Sequence, residues 1–297
     1  MPIVMGPNNY GKSEVRLVKV TRGAERHEIR DVTVDVALAG DLDAAHVEGD
    51  NTDVIATDTM RNTVYALARE DPVESLESFG LALGRHFLAS PLTQRAQITL
   101  TEFPWERIQV GGRAHEHSFT RGAGRRTATV TATADDAQVE AGIDDLWVLK
   151  TTNSGWEGFA RDQYTTLPET NDRILATVVT ATWAYESTDV DFERAWAGVR
   201  DSILATFTDH YSPSVQNTLY RMGEAVLDDF PEVARIHFSM PNKHHLRYDL
   251  DRFGLDNPGE IFEATYAPYG LIEGTVERTR EPAESGASTA AARGGGQ

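Results

Sequence analysis

The hydrophobic period of this chain changes twice in the same order, and few folds accommodate such a repetition. Val15 to Thr21 and Glu28 to Leu38 alternate as strands around the turn Gly23-Ala24-Glu25. From Asp53 to Arg69 the period lengthens to that of a helix, and Asp71-Pro72 offers an N-cap and a first helical residue for a second helix. That second helix carries Val73, Leu76, Phe79, Leu83 and Phe87 on one face. Strands return at Ala96 to Phe103, Arg126 to Thr133 and Val139 to Thr151. The order then recurs: a strand over Arg173 to Tyr185 and a helix opened by Asp191. A further helix begins at Pro213, with Val215, Leu219, Met222 and Val226 aligned. Strands follow around Ile236 and His245, and over Ile261 to Arg278.

Helices grouped between hairpins predict an α+β architecture, an antiparallel sheet with paired helices on one face. The two halves share this plan without sequence identity. We expect one domain over residues 1–150, a second over 151–280 and a disordered Ala/Ser/Gly/Glu-rich tail over 281–297. Each half would expose sheet edges, and a closed oligomeric barrel removes such edges, so oligomerisation is expected.

Composition narrows the function. Asp and Glu outnumber Lys and Arg 46 to 28, a formal charge of -18 that opposes binding to nucleic acid or an anionic membrane surface. The lysines are Lys12, Lys19, Lys150 and Lys243 alone, and a surface so acidic and so poor in lysine suits high salt, which screens self-repulsion. The absence of cysteine excludes disulfides, thiolate metal sites and a cysteine nucleophile. No apolar run approaches a membrane span and Met1 to Asn9 lacks a signal pattern, so the expected location is the cytoplasm.

Several short segments carry candidate chemistry, each with a plain structural alternative. Ser239-Met240-Pro241-Asn242-Lys243-His244-His245 sets an amide, an ammonium and two imidazoles around a proline, and reads as a strand interruption that turns polar groups into a cleft, or as a solvated loop. Lys12, beside Gly11, is a candidate base if its surroundings lower its pKa; otherwise it is a surface lysine. Thr57 and Asp58 sit where a strand turns into a helix, as caps or as neighbours of free N–H groups that bind anionic oxygens. Arg173 presents a planar fork near the aromatics Trp156, Phe159 and Tyr164. Gln216 falls in the first turn of a helix. His115 and His117 read as metal ligands, with His244 and His245, or as a polar strand edge; no spaced carboxylate set supports a metal.

Taken together, Tyr10-Gly11-Lys12, Val54 to Asp58, Tyr164 to Leu167 with Asp172-Arg173-Ile174-Leu175, Val215-Gln216 and Pro241-Asn242-Lys243-His244 resemble the urate oxidase family in order and spacing, from about Tyr10 to Ile272. The resemblance implies tandem T-fold domains and a homotetramer with active sites at subunit interfaces. It implies oxidation of urate by O2 to 5-hydroxyisourate and hydrogen peroxide, in purine catabolism, with no metal and no organic cofactor. Lys12, Thr57 and His244 would form a proton relay, with Thr57 and Asp58 supplied by the neighbouring subunit. Arg173 and Gln216 would grip the purine, Leu167 and the Val215 backbone would line the site, and Asn242 would hold O2 and later water. Trp156 stands where the family usually stacks a phenylalanine. Rival readings are a pterin-handling cyclohydrolase on the same fold, which commonly needs a metal or a Cys/His/Glu set, and a purine-binding protein without turnover, which would not need Lys12.

Overall fold

The computed structural model describes residues 3–279, so the tail expected over 281–297 lies outside the described residues. Strands β1 (Tyr10–Arg22) and β2 (His27–Ala39) lead through a short helix α1 (Asp43–Val47) to helices α2 (Thr57–Glu70) and α3 (Leu76–Leu88). Strand β3 (Arg95–Glu102), the hairpin β4 (Trp105–Val110) and β5 (Arg113–Arg121), and β6 (Arg125–Thr133) follow. The plan then repeats as β7 (Ala137–Lys150), β8 (Leu175–Tyr185), α4 (Phe192–Thr208), α5 (Val215–Asp229), β9 (Val233–Arg247) and β10 (Phe262–Glu277).

Eight strands form one antiparallel sheet in the order β1-β2-β3-β6-β7-β8-β9-β10, while β4 and β5 pair separately. The sheet crosses between the two runs of elements without a break, because β7 bonds both β6 and β8. Strand alternation sets which side meets the helices. Val32, Val34, Val36 and Leu38 of β2 face inward onto Phe79 and Leu83, and Ile236, Phe238 and Met240 of β9 meet the apolar stripe of α5, Leu219, Met222 and Val226. Each such side chain contributes about 1.5–3 kcal/mol by leaving water. Among the described residues no helix is long and apolar enough to cross a membrane.

Two expected helix starts and one expected strand interruption need correction. Helix α3 starts at Leu76 rather than at Pro72: Asp71 closes α2, and Ser75 and Ser78 form a reciprocal capping box that satisfies the first N–H groups of α3. Val73, at φ 54°, is buried just ahead of the helix rather than within it. Helix α5 starts at Val215 rather than at Pro213, behind the cap Ser214, whose hydroxyl accepts from Asn217 N at 3.1 Å. Pro241 does not interrupt its strand, since β9 runs through it, with Pro241 opposite Leu271 of β10. The ladder to β8 skips from Ser239 to Asn242, so the missing N–H is absorbed on that side alone.

Where the two helix pairs meet, Arg126 of β6 is buried against Glu77 of α3 at 2.8 Å and against Glu193 of α4, with its guanidinium 4.8 Å from the Trp196 ring. Burial pushes the Glu77 carboxyl up, with Arg126 opposing. For Glu193 burial works upward too, but Arg126 and Arg30 outweigh it and hold that carboxyl below its usual value.

Candidate active site

The row of inward side chains on β9 passes beyond the first turn of α5, and there its character changes. Ile236, Phe238 and Met240 lie under the helix; two and four residues further on, with the same parity, come Asn242 and His244. The core stops where the helix stops, and a cavity of about 1090 Å³ opens past it. Its walls include Trp156, Leu167, Arg173, Val215, Gln216, Asn242 and His244.

Arg173 enters from the segment before β8, where its backbone N–H donates to Ser154 O at 2.9 Å. Among the described residues its guanidinium has no hydrogen-bond or ion-pair partner, and its Nε is buried and unsatisfied. Burial lowers its pKa from the ordinary guanidinium value, which is the signature of a desolvated cation. Trp156 stands 6.0 Å from that guanidinium, fixed by a two-way backbone bridge to Thr170 and stacked on Phe159 at 5.6 Å and 11°. Gly155 permits the bend, since a Cβ there would meet the Tyr211 hydroxyl at 2.1 Å.

Opposite, α5 presents its first turn. Val215 is buried, Gln216 exposes its carboxamide, and their backbone N–H groups precede the first intrahelical bonds. A desolvated guanidinium and a helix N-terminus facing one cavity make a site for a flat anion with several acceptors. His244 completes the polar rim. Burial, followed by the charge of Arg173, lowers its pKa, so its imidazole is neutral at neutral pH.

Lys12, Thr57 and Asp58 do not line this cavity. Lys12 lies on β1 beside a bulge between Lys12 and Val15, where a Cβ on Gly11 would collide with Val36 O at 1.8 Å. Thr57 is the first residue of α2 rather than its cap; the cap position is Ala56, which offers no side chain to the free N–H groups. Asp58 bonds Arg61 at 2.8 Å and Asn62 at 3.1 Å within the helix. Lys12 and Thr57 belong to one corner of the molecule, since the Tyr10 hydroxyl accepts from Ile55 N at 2.8 Å. The structure thus gathers seven of the ten sequence-derived site residues in one cavity and the other three elsewhere.

His115 and His117 lie on β5, 4.6 Å apart by ring centroids, with His27 6.0 Å from His117. Among the described residues no group of three or more His, Asp or Glu side chains is placed to hold a metal ion. Lys243 points away from the cavity, over the rings of Tyr269 at 4.5 Å and Trp147 at 5.7 Å. Sequence reasoning missed the wall made by β10, where Tyr266 to Tyr269 form a bulge between Thr265 and Gly270 that turns Ala267 and Pro268 into the cavity. The Ala-Pro-Tyr-Gly run inside a strand pattern was the available signal.

A protein-family model described as Uricase matches residues 8–131 and 139–273. The uricase of Arthrobacter globiformis is 48% identical over 278 residues, covering 93% of this chain and 90% of the relative. That of Dictyostelium discoideum is 41% identical over 277 residues, covering 92% and 96%. The crystal structure of the uricase from Arthrobacter globiformis superposes with a TM-score of 0.90 at 46% identity, covering 96% of this chain and 98% of that one.

Proposed function

The chain belongs to the uricase family and is an oxidoreductase that acts on urate, and we propose that it couples urate and O2 through a proton relay of Lys12, Thr57 and His244. Urate, O2 and H2O give 5-hydroxyisourate and H2O2: two electrons leave the purine, O2 becomes peroxide, and water supplies the new hydroxyl oxygen. The observation that carries this reading is the Arg173 guanidinium, without a hydrogen-bond or ion-pair partner among the described residues, lining with Val215 and Gln216 the cavity that also holds Asn242 and His244.

Urate is a planar, weakly acidic anion. The fork of Arg173 and the carboxamide of Gln216 satisfy its acceptors and donors in one plane, with Trp156 stacked on its face and Leu167 and the Val215 backbone closing the edge. A purine lacking those groups would leave the polar partners unpaired, which costs roughly 10⁴-fold in discrimination. Lys12, acting through the Thr57 hydroxyl, withdraws a proton and leaves an electron-rich urate that itself reduces O2. Such a transfer contributes roughly 10²–10⁴-fold. Asn242 holds O2 and then water above the ring, and neutral His244 orders the relay and that water.

Lys12 and Thr57 share a corner away from the cavity. We therefore assign both, with Asp58, to the neighbouring subunit, which extends the expectation that only Thr57 and Asp58 cross. The proposed assembly is a cytoplasmic homotetramer of tandem T-fold domains, built so that each cavity is completed by its neighbour. It needs no metal or organic cofactor, with O2 as co-substrate.

Urate loss with peroxide release from chelator-treated protein tests the reaction; chelator-sensitive turnover would sink the cofactor-free reading. The shared site has its own test. Lys12→Ala and His244→Ala chains, each inactive alone, should on co-expression restore about a quarter of the sites, because random assembly pairs two intact contributors that often. No recovery would place all three residues in one subunit's site.

A further inference from the structure

The first turn of α5 is held by a polar chain that the reaction itself does not use. His210, just past α4, bonds Thr206 O through Nδ1 at 2.6 Å and Thr218 Oγ1 through Nε2 at 3.0 Å. Thr218 Oγ1 is 2.6 Å from Ser212 Oγ, and both hydroxyls are fully buried. The carbonyl of Ser214, the α5 cap, lies 3.2 and 3.1 Å from the same two hydroxyl oxygens and competes for their protons.

The same segment ties down the other cavity walls. Gly155 N donates to Ser212 O at 2.8 Å, Ser212 N to Asn153 O at 3.0 Å, and Lys150 Nζ and Asn153 Nδ2 to His210 O at 2.7 and 3.0 Å. Trp156 follows Gly155 directly, and the Tyr211 hydroxyl donates to Asn171 O, two residues before Arg173, at 3.2 Å.

We propose that His210 is a positioning residue for urate oxidation, fixing Val215 and Gln216 against Trp156 and Arg173 through the hydroxyls of Thr218 and Ser212. The inference rests on the urate reading for its kinetic form. The chemistry sets the direction of the chain. A carbonyl only accepts, so Nδ1 carries the proton; neutral Nε2 then accepts from the Thr218 hydroxyl, and Thr218 accepts from Ser212. Burial keeps the imidazole neutral by lowering its pKa, with Lys150 and Arg221 adding to the effect and the Thr206 carbonyl and Asp209 opposing it. Two buried hydroxyls would be needless if the segment were held by packing, since apolar residues of the same shape would serve.

The test uses the full-length enzyme with Thr218→Val, Thr218→Ser, His210→Leu and the double variant Thr218→Val/His210→Leu. Val215 and Gln216 grip urate before and during the reaction, so loosening them raises KM more than it lowers kcat. Thr218→Val and His210→Leu should each raise the KM for urate about tenfold, as expected for one hydrogen bond, with kcat within about threefold. The double variant should be no worse than the worse single one, and Thr218→Ser should restore most of the lost affinity. An unchanged KM, additive losses, or a serine variant as impaired as the valine would overturn the proposal. Amide exchange without substrate separates its failure from failure of the urate reading. Thr218→Val should speed exchange at Gly155 and Asn217 while leaving the last turns of α5 protected, and unchanged exchange at both would overturn the clamp even in a protein that did not oxidise urate.

Discussion

Two helices of this molecule begin in nearly the same way and end up with opposite roles. Helix α3 is capped by Ser75 and α5 by Ser214, and near each start an arginine with a buried, unsatisfied Nε lies beside a tryptophan ring, Arg126 by Trp196 and Arg173 by Trp156. At α3 the second residue is Glu77, fully buried and bonded to Arg126. At α5 the second residue is Gln216, and Arg173 has no counterion among the described residues. The indoles differ as well: Trp196 Nε1 donates to Gly142 O at 3.0 Å, while Trp156 Nε1 has no such partner among the described residues. A buried guanidinium needs its charge answered. Where the fold supplies the carboxylate, the result is cement between two helix pairs; where the described residues supply none, the half-buried cation is open to an anion in the cavity, the role proposed for urate.

That contrast predicts where activity and stability separate. Arg173→Gln should lower kcat/KM for urate by roughly 10²–10⁴-fold, the value of a bidentate charge-assisted pair, and leave the melting temperature unchanged or slightly higher because a desolvated, unpaired cation is gone. Steady-state kinetics with a thermal melt on the same sample checks both halves; a large fall in melting temperature would make Arg173 structural. Arg126→Leu should do the reverse, costing about 3–5 kcal/mol of stability by stranding Glu77, with turnover per folded enzyme little changed. Adding Glu77→Leu should return much of that loss, since a well-packed apolar pair replaces a buried ionic one at little cost. Denaturant titration reads both variants.

Much of this contrast was legible in the chain, and the remainder was tertiary. Periodicity placed the helices and the long strands because each buries one face: Val32 to Leu38 and Val215 to Val226 carry their burial in their spacing. The β4–β5 hairpin escaped it because its residues are mostly exposed on both faces, so no period forms. Asp71-Pro72 misled because an aspartate that accepts from the N–H two residues on builds a turn as readily as a helix cap: Asp71 Oδ1 accepts from Val73 N at 2.6 Å, and the reciprocal bonds of Ser75 and Ser78 form the cap instead. Within the site, Asn242 and His244 were readable as a short motif. That Lys12 and Thr57 stand apart from them was not, because nothing in spacing says which elements share a cavity within one subunit.

His244 sharpens the comparison through pH. Its pKa is lowered first by burial and then by Arg173, so the neutral form dominates above the ordinary imidazole value of 6.5. Protonation would place a second cation beside Arg173 and remove the acceptor that the proposed relay needs. Turnover should therefore fall about tenfold per pH unit on an acid limb whose midpoint lies below 6.5. The sign for stability runs the same way: a depressed folded-state pKa contributes stability above the unfolded value, which is lost as pH falls through the folded one. His244→Gln should lack the acid limb of kcat, and Arg173→Gln should move its midpoint upward. A limb at or above 6.5 in the parent enzyme would mean that His244 is not the titrating group.

The smallest expected effect concerns the two tryptophans. Trp196 is locked by its bond to Gly142 O, whereas Trp156 is backed by Phe159, which has the Arg161 guanidinium 5.0 Å from its own ring. That stack fixes the plane of the indole, while its N–H has no partner among the described residues. If the plane is what matters, Trp156→Phe should change the KM for urate by less than about tenfold, because stacking between aromatic rings is worth about 0.5–1.5 kcal/mol and either ring supplies most of it. Trp156→Ala should raise KM further, since the platform itself is lost. A phenylalanine variant as weak as the alanine one would show that the indole N–H, and not the ring face, holds the substrate, and the open tryptophan would then be a hydrogen-bonding residue like its closed counterpart.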